Sequence, residues 1–142
     1  MLEGKQMILS FSVFKEKIES GEKKQTIRKY SAKQYQRFLN TWKKRETTGR
    51  YNLYWHNPRN GGVKMKDVVP SDNPYCIRFD TEWGIVNTGY ELGHNEFVLD
   101  ASEREQLAKD DGFPNFVAML GWFMHEYNES LYKEKFIVIR WL

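Results

Sequence analysis

Cysteine and proline are scarce in this chain, which has one cysteine, Cys76, and four prolines among 142 residues. A single cysteine excludes an internal disulfide and is typical of proteins in a reducing compartment. No apolar run reaches the roughly 18 residues that a membrane span requires. The residues after Met1 lead directly into a strand-like segment, a pattern that indicates no signal peptide. These absences predict a cytoplasmic protein with no membrane partner.

The signatures of several common catalytic and cofactor sites are also missing. None of the three histidines (His56, His94 and His125) has a cysteine or histidine partner at zinc-binding spacing. The chain contains no glycine-rich phosphate loop, no dinucleotide-binding fingerprint and no serine-hydrolase elbow. The sequence therefore predicts no metal and no cofactor.

Charged and aromatic residues are abundant, at 29% and 15% of the chain, beside an apolar fraction of 40%. This balance predicts a single folded domain over residues 1–142 and argues against disorder. Residues 1–66 carry 16 Lys or Arg against 5 Asp or Glu, whereas residues 67–142 carry 6 against 14. The asymmetry favours a basic surface for a polyanion. Mutual neutralisation of the two halves after folding is an equally good interpretation.

Hydrophobic periodicity predicts many short strands and a few helices. The predicted strands cover residues 7–11, 25–27, 50–55, 63–69, 75–80, 83–92, 97–99 and 135–141. Helices are predicted after a Ser12 cap, from Ser31 to about Glu46, from a Ser102–Glu105 capping box, and from Pro114 to about Tyr127. This order lacks βαβ repetition, so it predicts an α+β fold in which a mixed β-barrel of short strands is decorated by three or four helices.

The segment Gly21-Glu22-Lys23-Lys24-Gln25-Thr26-Ile27-Arg28 combines cations with a hydroxyl group. Strict alternation along a strand places Lys24, Thr26 and Arg28 on one face. Two cations beside a hydroxyl could hold an anion or an amide oxygen. The alternative is an edge strand that its charges protect from further pairing, and the spacing alone favours that interpretation.

The segment from Arg50 to Arg59 interleaves aromatic residues with polar ones between basic ends. Such a segment could stack bases on Trp55 and pair with phosphates. The alternative is an amphipathic strand whose aromatic side chains fill the core. The helix predicted over 31–46 adds further basic residues. The candidate nucleic-acid-binding residues are Lys24, Arg28, Arg37, Lys44, Arg50, Trp55 and Arg59.

Four segments, in order, resemble ASCH domains, a branch of the PUA-like barrels. The opening strand and helix end in Ser20-Gly21 and lead into a Lys-x-x-Thr-x-Arg strand at Lys23–Arg28. The other matching segments are Leu53-Tyr54-Trp55 with Arg59, the turn Asp111-Gly112-Phe113, and the terminal strand Phe136-Ile137-Val138-Ile139-Arg140-Trp141. The similarity spans nearly the whole chain and is weakest over residues 68–98.

The resemblance implies a PUA-like β-barrel and work on RNA, because ASCH domains are similar to RNA-binding PUA domains. Some small bacterial members are amidohydrolases that act on acetylcytidine through a Lys, a Thr and a Glu around the barrel cleft. By motif position these roles fall on Lys23, Thr26 and Asp111, and Arg28 matches the motif arginine. Asp111 departs from the family pattern because Asp is one methylene shorter than Glu, which shifts a proton-transferring oxygen by over about 1 Å.

In such an enzyme Thr26 would attack an amide carbonyl and would need a nearby base. Lys23 could be that base only if its pKa were lowered, and Asp111 would orient it or shuttle a proton. Because alternation puts Lys23 opposite Thr26, this mechanism requires a bend or loop at Lys23–Lys24.

Three hypotheses therefore arise from the sequence. The first is an RNA- or nucleotide-binding domain whose ligand lies beside the Lys23–Arg28 strand. The second is an amidohydrolase of acylated nucleosides. The third is a module that presents the basic residues 31–50 to an acidic protein. The sequence leaves the ligand and the oligomeric state open.

Overall fold

A computed structural model describes residues 7–90 and 96–142 of the chain. The strands in these ranges are β1 (Met7–Phe11), β2 (Gln25–Lys29), β3 (Tyr51–Trp55), β4 (Val63–Val68), β5 (Tyr75–Asp80), β6 (Gly84–Gly89), β7 (Phe97–Val98) and β8 (Phe136–Arg140). The α-helices are α1 (Lys15–Ser20), α2 (Ala32–Lys43), α3 (Ala101–Asp110) and α4 (Phe116–Tyr127). Two 3-10 turns cover Pro58–Asn60 and Asn128–Lys133.

The strands form two sheets. In the first, β1 pairs in parallel with β3, and β3 pairs antiparallel with β4. In the second, the order is β2-β8-β5-β6-β7 and every pairing is antiparallel. The predicted α+β class, with four α-helices in the described ranges, is confirmed.

Strand β8 separates two hydrophobic cores, which explains why its side chains are buried on both faces. Ile137 and Ile139 pack with residues of β1, β3 and α2 in the first core. Phe136 and Val138 face the opposite way, into a second core with residues of β5, α3 and α4. Alternation within one strand thus assigns its side chains to two different layers.

The two sheets touch at their ends, but the described residues do not form one closed barrel. An isolated bridge joins Pro70 to Trp141 beyond the ends of β4 and β8. Between β1 and β2, Arg28 Nη2 donates to the Ser10 carbonyl oxygen at 2.9 Å. In the described ranges β1 and β2 belong to different sheets, and this side-chain hydrogen bond links them without a strand ladder.

Two helix boundaries agree with the sequence prediction, the end of α1 and the start of α2. Gly21 ends α1 with φ 87°, a conformation that favours glycine. Ser31 caps α2 by accepting a hydrogen bond from the Gln34 amide. Helix α2 ends at Lys43, a turn earlier than the predicted limit near Glu46.

Three other predicted helix starts were wrong. Helix α1 begins after Phe14, which lies at φ 65° without a side-chain cap, so Ser12 is not the cap. The capping box is formed by Asp100 and Glu103 instead of Ser102 and Glu105. Helix α4 is capped by Asn115, and Pro114 precedes it. At α3 and α4 a neighbouring polar residue supplies the cap instead of the predicted one, whereas α1 starts with no side-chain cap.

Strand β6 is shorter than the predicted strand over 83–92, whose last two residues lie outside the described ranges, as does His94. The longest described helices, α2 and α4, have 12 residues each. Within residues 7–90 and 96–142, no helix combines the length and hydropathy needed to cross a membrane.

Candidate functional site

A cavity of about 280 Å³ lies where three parts of the chain meet. These are the end of β1 with the turn that follows it, the start of β2, and the turn between α3 and α4 with the inner face of α4. The side chains that line it include Ser10, Phe11, Phe14, Lys23, Thr26, Arg28, Asp111, Phe113, Trp122 and Tyr127. The cavity therefore brings together the catalytic candidates of the sequence analysis, Lys23, Thr26 and Asp111.

Lys23 enters the cavity because the chain bends before β2. The left-handed Gly21 ends α1, and the Lys23 amide donates back to the Lys17 carbonyl at 3.0 Å. The Lys24 amide donates to the Asp110 carbonyl at 2.7 Å. As a result Lys23 is buried and Lys24 is exposed. The bend or loop required at Lys23–Lys24 is present as a loop before β2. Lys24 does not share the cavity face that strict alternation predicted for it.

The Lys23 ammonium group is almost fully enclosed, with the residue 3% exposed. Its Nζ donates to the Asp111 carbonyl oxygen at 2.6 Å and lies 3.5 Å from Asp111 Oδ1. The rings of Phe14 and Phe11 have their centroids 5.5 and 5.7 Å from Nζ. Burial lowers the pKa of Lys23, the nearby Arg28 charge lowers it further, and Asp111 opposes both effects.

Asp111 is held at the C-terminal end of α3, where its amide bonds back to the last turn. Gln25 Nε2 lies 3.4 Å from its Oδ1. Burial raises the pKa of Asp111 to about 6, against the opposing effects of Lys23, Gln25 and Arg28. The pKa values of Lys23 and Asp111 thus move towards each other, which favours proton exchange within the pair.

The turn that carries Asp111 into the cavity depends on glycine. Gly112 has φ 104°, and a Cβ at this position would lie 3.1 Å from the Phe14 ring. Phe14 in turn contacts Phe113 edge-on, with the centroids 4.9 Å apart. The Asp-Gly-Phe turn therefore places a carboxyl group and an aromatic wall in the same cavity.

Thr26 and Arg28 form the other polar part of the cavity. Arg28 Nε donates to Thr26 Oγ1 at 3.0 Å, and the guanidinium carbon lies 4.9 Å from the Phe11 ring centroid. In the described part of the chain, Lys23 Nζ bonds to Asp111 and not to Thr26. The contact between nucleophile and base that hydrolysis requires is thus not made without ligand, although such contacts often tighten only when substrate binds.

The sequence analysis missed several residues that shape this site. Trp122 is 38% exposed at the cavity rim, and its ring centroid lies 6.2 Å from that of Phe113. Behind Asp111, Gln25 Oε1 accepts from Arg140 Nη1 at 2.5 Å, and Arg140 Nη2 donates to Asp110 at 2.9 Å. The run of apolar residues over 116–124 in α4 was the available signal for Trp122, since a solvated helix seldom has so few polar residues.

The remaining nucleic-acid-binding candidates lie in different places. Arg37 and Arg59 line a second cavity, of about 600 Å³. Lys44 is exposed at the end of α2. Arg50 Nη1 donates to the carbonyl oxygens of Arg45 and Gly49, so it closes the loop before β3. Trp55 is half-buried against the first core.

In the ranges that the structure describes, no three His, Cys, Asp or Glu side chains are grouped so that they could hold a metal ion. Comparisons of the chain with models of known protein families, with curated protein sequences and with solved structures found no match. A function must therefore be inferred from the chemistry of the cavity and from the sequence motifs that meet in it.

Proposed function

We propose that this chain is an ASCH-type, PUA-like domain that binds a nucleoside, or one nucleotide of an RNA, in the cavity beside β2. The observation that supports this most is the convergence of the Lys-x-x-Thr-x-Arg strand and the Asp-Gly-Phe turn on one cavity. The two motifs are separated by more than 80 residues in the sequence, and the resemblance to ASCH domains places both of them at the family's cleft.

The size and lining of the cavity suit a single base with its sugar. About 280 Å³ is close to the lower limit of roughly 300–1,000 Å³ for small-molecule pockets. Phe113 and Trp122 offer ring faces and edges for stacking. Lys23 and Arg28 donate hydrogen bonds and Asp111 accepts them, so the edge of a base that carries both donors and acceptors can be matched.

Binding can be tested on Trp122, because the residue is 38% exposed and lines the cavity. If a base stacks on it, Trp122→Ala should weaken the binding of cytidine and of a short RNA by roughly 1–3 kcal/mol. Calorimetric titration measures this directly. Trp83→Ala is the matched control, because Trp83 is 52% exposed and does not line the cavity. Equal affinity in both variants and the parent would refute the proposal.

Hydrolysis of an acylated nucleoside is the second candidate, and the lowered pKa of Lys23 in the same cavity as Thr26 favours it. Thr26 Oγ1 would attack the amide carbonyl carbon while its proton passes to neutral Lys23. The Lys23 ammonium would then protonate the departing amine as the C–N bond breaks. Water would hydrolyse the acyl-threonine ester and release the acid. Asp111 would hold Lys23 in place and exchange protons with it.

Substitutions at Lys23 and Thr26 separate an enzyme from a binder. A binder uses Lys23 as a charge, so Lys23→Arg should retain most of the affinity. A catalyst needs Lys23 to lose and regain a proton, and guanidinium does not do so near neutral pH. Lys23→Arg should therefore abolish acetylcytidine turnover, and Thr26→Val should do the same by removing the nucleophile at nearly constant shape.

The acid provides a further test. If Asp111 is a shortened version of the family's glutamate, Asp111→Glu should raise turnover. If the cavity has adapted to aspartate, the same change should lower it. We expect weak or no turnover in the parent chain because of this shorter acid. Robust hydrolysis that is lost in Lys23→Arg would make the enzyme the better description of this chain.

A further inference from the structure

The second cavity, which we call the arginine groove, lies along the more exposed residues of β1, Ile8 and Ser10, and also contacts the buried Met7. Its lining includes Ile8, Ser10, Gln34, Arg37, Asn57 and Arg59. These side chains come from β1, from α2 and from the 3-10 turn after β3. Its volume of about 600 Å³ is twice that of the cavity beside β2.

Among residues 7–90 and 96–142, the charged side chains that line the arginine groove are both positive. None of the described residues that line it is Asp or Glu. Arg37 and Arg59 are exposed, and neither forms an ion pair with a described carboxylate. The other grooves differ, because Glu96 and Glu134 accompany the basic side chains in one, and Glu103 and Asp110 face Arg140 in another. A low-dielectric concave surface lined by one sign of charge concentrates the opposite charge.

The groove and the cavity are neighbours on the same strand. Ser10 lines both, and its carbonyl oxygen is held by Arg28 from the cavity side. Ile8 and Ser10 are two residues apart on β1, a distance of about 7 Å. Ile8 is 50% exposed and offers an apolar surface to a ribose or a base. A chain that leaves the cavity at Ser10 can therefore continue into the groove that the two arginines line.

We propose that the arginine groove binds the phosphodiester backbone of a single-stranded nucleic acid whose neighbouring base occupies the cavity. This inference rests on the proposed function, and it makes the natural ligand a polynucleotide instead of a free nucleoside. Single-strand binding sites elsewhere combine these two features, a basic groove that follows the backbone and aromatic side chains that stack the bases. Guanidinium groups suit the role because their fork of donors matches phosphate oxygens.

The test compares a single-stranded pentamer of cytidine with cytidine itself, each titrated into the full chain. In the Arg37→Gln/Arg59→Gln variant, affinity for the pentamer should fall at least about tenfold, and cytidine affinity should not change. The slope of log affinity against log salt should shrink by about 1.4, since each phosphate contact on a single strand contributes about 0.7. Lys33→Gln/Lys43→Gln is the control, because both lysines are exposed on α2 and outside the groove.

The possible outcomes distinguish the groove from the cavity. Pentamer binding that depends on Trp122 but not on Arg37 and Arg59 overturns the groove and leaves the cavity standing. Binding that depends on the two arginines but not on Trp122 supports the groove as a backbone site and overturns the cavity. A control variant as weak as the groove variant, competition by polyglutamate at equal charge, or no binding of the pentamer overturns the groove proposal.

Discussion

The cavity beside β2 and the surface at the end of α2 both take their positive charges from the basic half of the chain. The charged side chains differ in their surroundings, however, because those in the cavity are more deeply buried. At the end of α2, Arg45 lies over the Trp42 ring at 4.0 Å and donates to the Trp42 carbonyl. Arg50 bonds to two further carbonyl groups, and Lys44 is exposed. These charges complete the end of a helix, where cations are favourable in any case.

In the cavity, by contrast, a lysine and an aspartate are enclosed with pKa values displaced in opposite directions. Removing two charges from water is costly, and a buried ion pair is often no more stable than apolar residues of similar volume. The charges at the end of α2 are therefore explained by the stability they give to the helix. The buried Lys23–Asp111 pair is not explained by stability, which favours a functional role for it. Burial, and not the sequence density of charge, distinguishes the two regions.

The largest expected effect on stability comes from replacing one member of the Lys23–Asp111 pair and keeping the other. Lys23→Met should lower the free energy of unfolding by about 3–5 kcal/mol, because Asp111 is left buried without its cation. Lys23→Met/Asp111→Leu should restore that loss and exceed the parent by up to about 4 kcal/mol. Urea unfolding measures both. Lys24→Met is the matched control and should have little effect, since Lys24 is exposed. A double variant as unstable as the single one would mean that the pair stabilises the fold.

The next largest effect is the pH dependence of folding stability that the Asp111 carboxyl group causes. Its pKa is 3.8 ordinarily and about 6 in the folded chain, so between these values the folded state binds more protons than the unfolded state. The contribution of Asp111 to stability is therefore fully present below about pH 4 and is lost as the pH rises through 6. Relative to Asp111→Asn, the parent should lose up to about 3 kcal/mol between pH 4 and 6.5. If the parent instead became more stable relative to Asp111→Asn as the pH rises, Lys23 would be keeping the Asp111 carboxyl group ionised.

A smaller effect on stability is expected at Trp55, whose burial is intermediate between that of the cavity residues and that of the exposed residues at the end of α2. It is half-buried on the first core and Lys15 Nζ lies 5.8 Å from its ring centroid. Trp55→Ala should cost about 2 kcal/mol of unfolding free energy, less than the roughly 3–5 kcal/mol of a fully buried ring. RNA affinity should change little. A loss of affinity without a loss of stability would instead assign the ring to base stacking.

The strands and the α+β class were largely predictable, although the described residues do not form the closed barrel, because side chains along short amphipathic strands alternate with a period of two residues and the turns between strands carry glycine, proline or asparagine. Apart from the Ser31 cap, helix starts were not predictable, since two overlapping cap patterns, Asp100 with Glu103 and Ser102 with Glu105, occur near residue 100. Lys23, Thr26 and Asp111 were found through motif order. Gln25 and Arg140 were not, because they are 115 residues apart and only the pairing of β2 with β8 brings them together.

The smallest effect on nucleic-acid binding is expected at Lys44. The charge asymmetry of the sequence predicts the same role for Arg37 and Lys44, as two cations near one helix that neutralise phosphates. The structure separates them, because Arg37 lines the arginine groove and Lys44 lines neither that groove nor the cavity. Arg37→Ala should therefore weaken pentamer binding and reduce the salt slope by about 0.7.

Lys44→Ala should change that slope by much less, because an exposed charge outside the groove is screened beyond roughly 10 Å at 0.1 M salt. Binding isotherms from 50 to 300 mM salt for the two variants give the comparison. Stability should be unaffected in both, so any difference reports on the ligand alone. Equal slope changes would mean that the whole basic face of α2 binds the polyanion. The charge of the first 66 residues would then predict the binding surface better than the shape of the groove does.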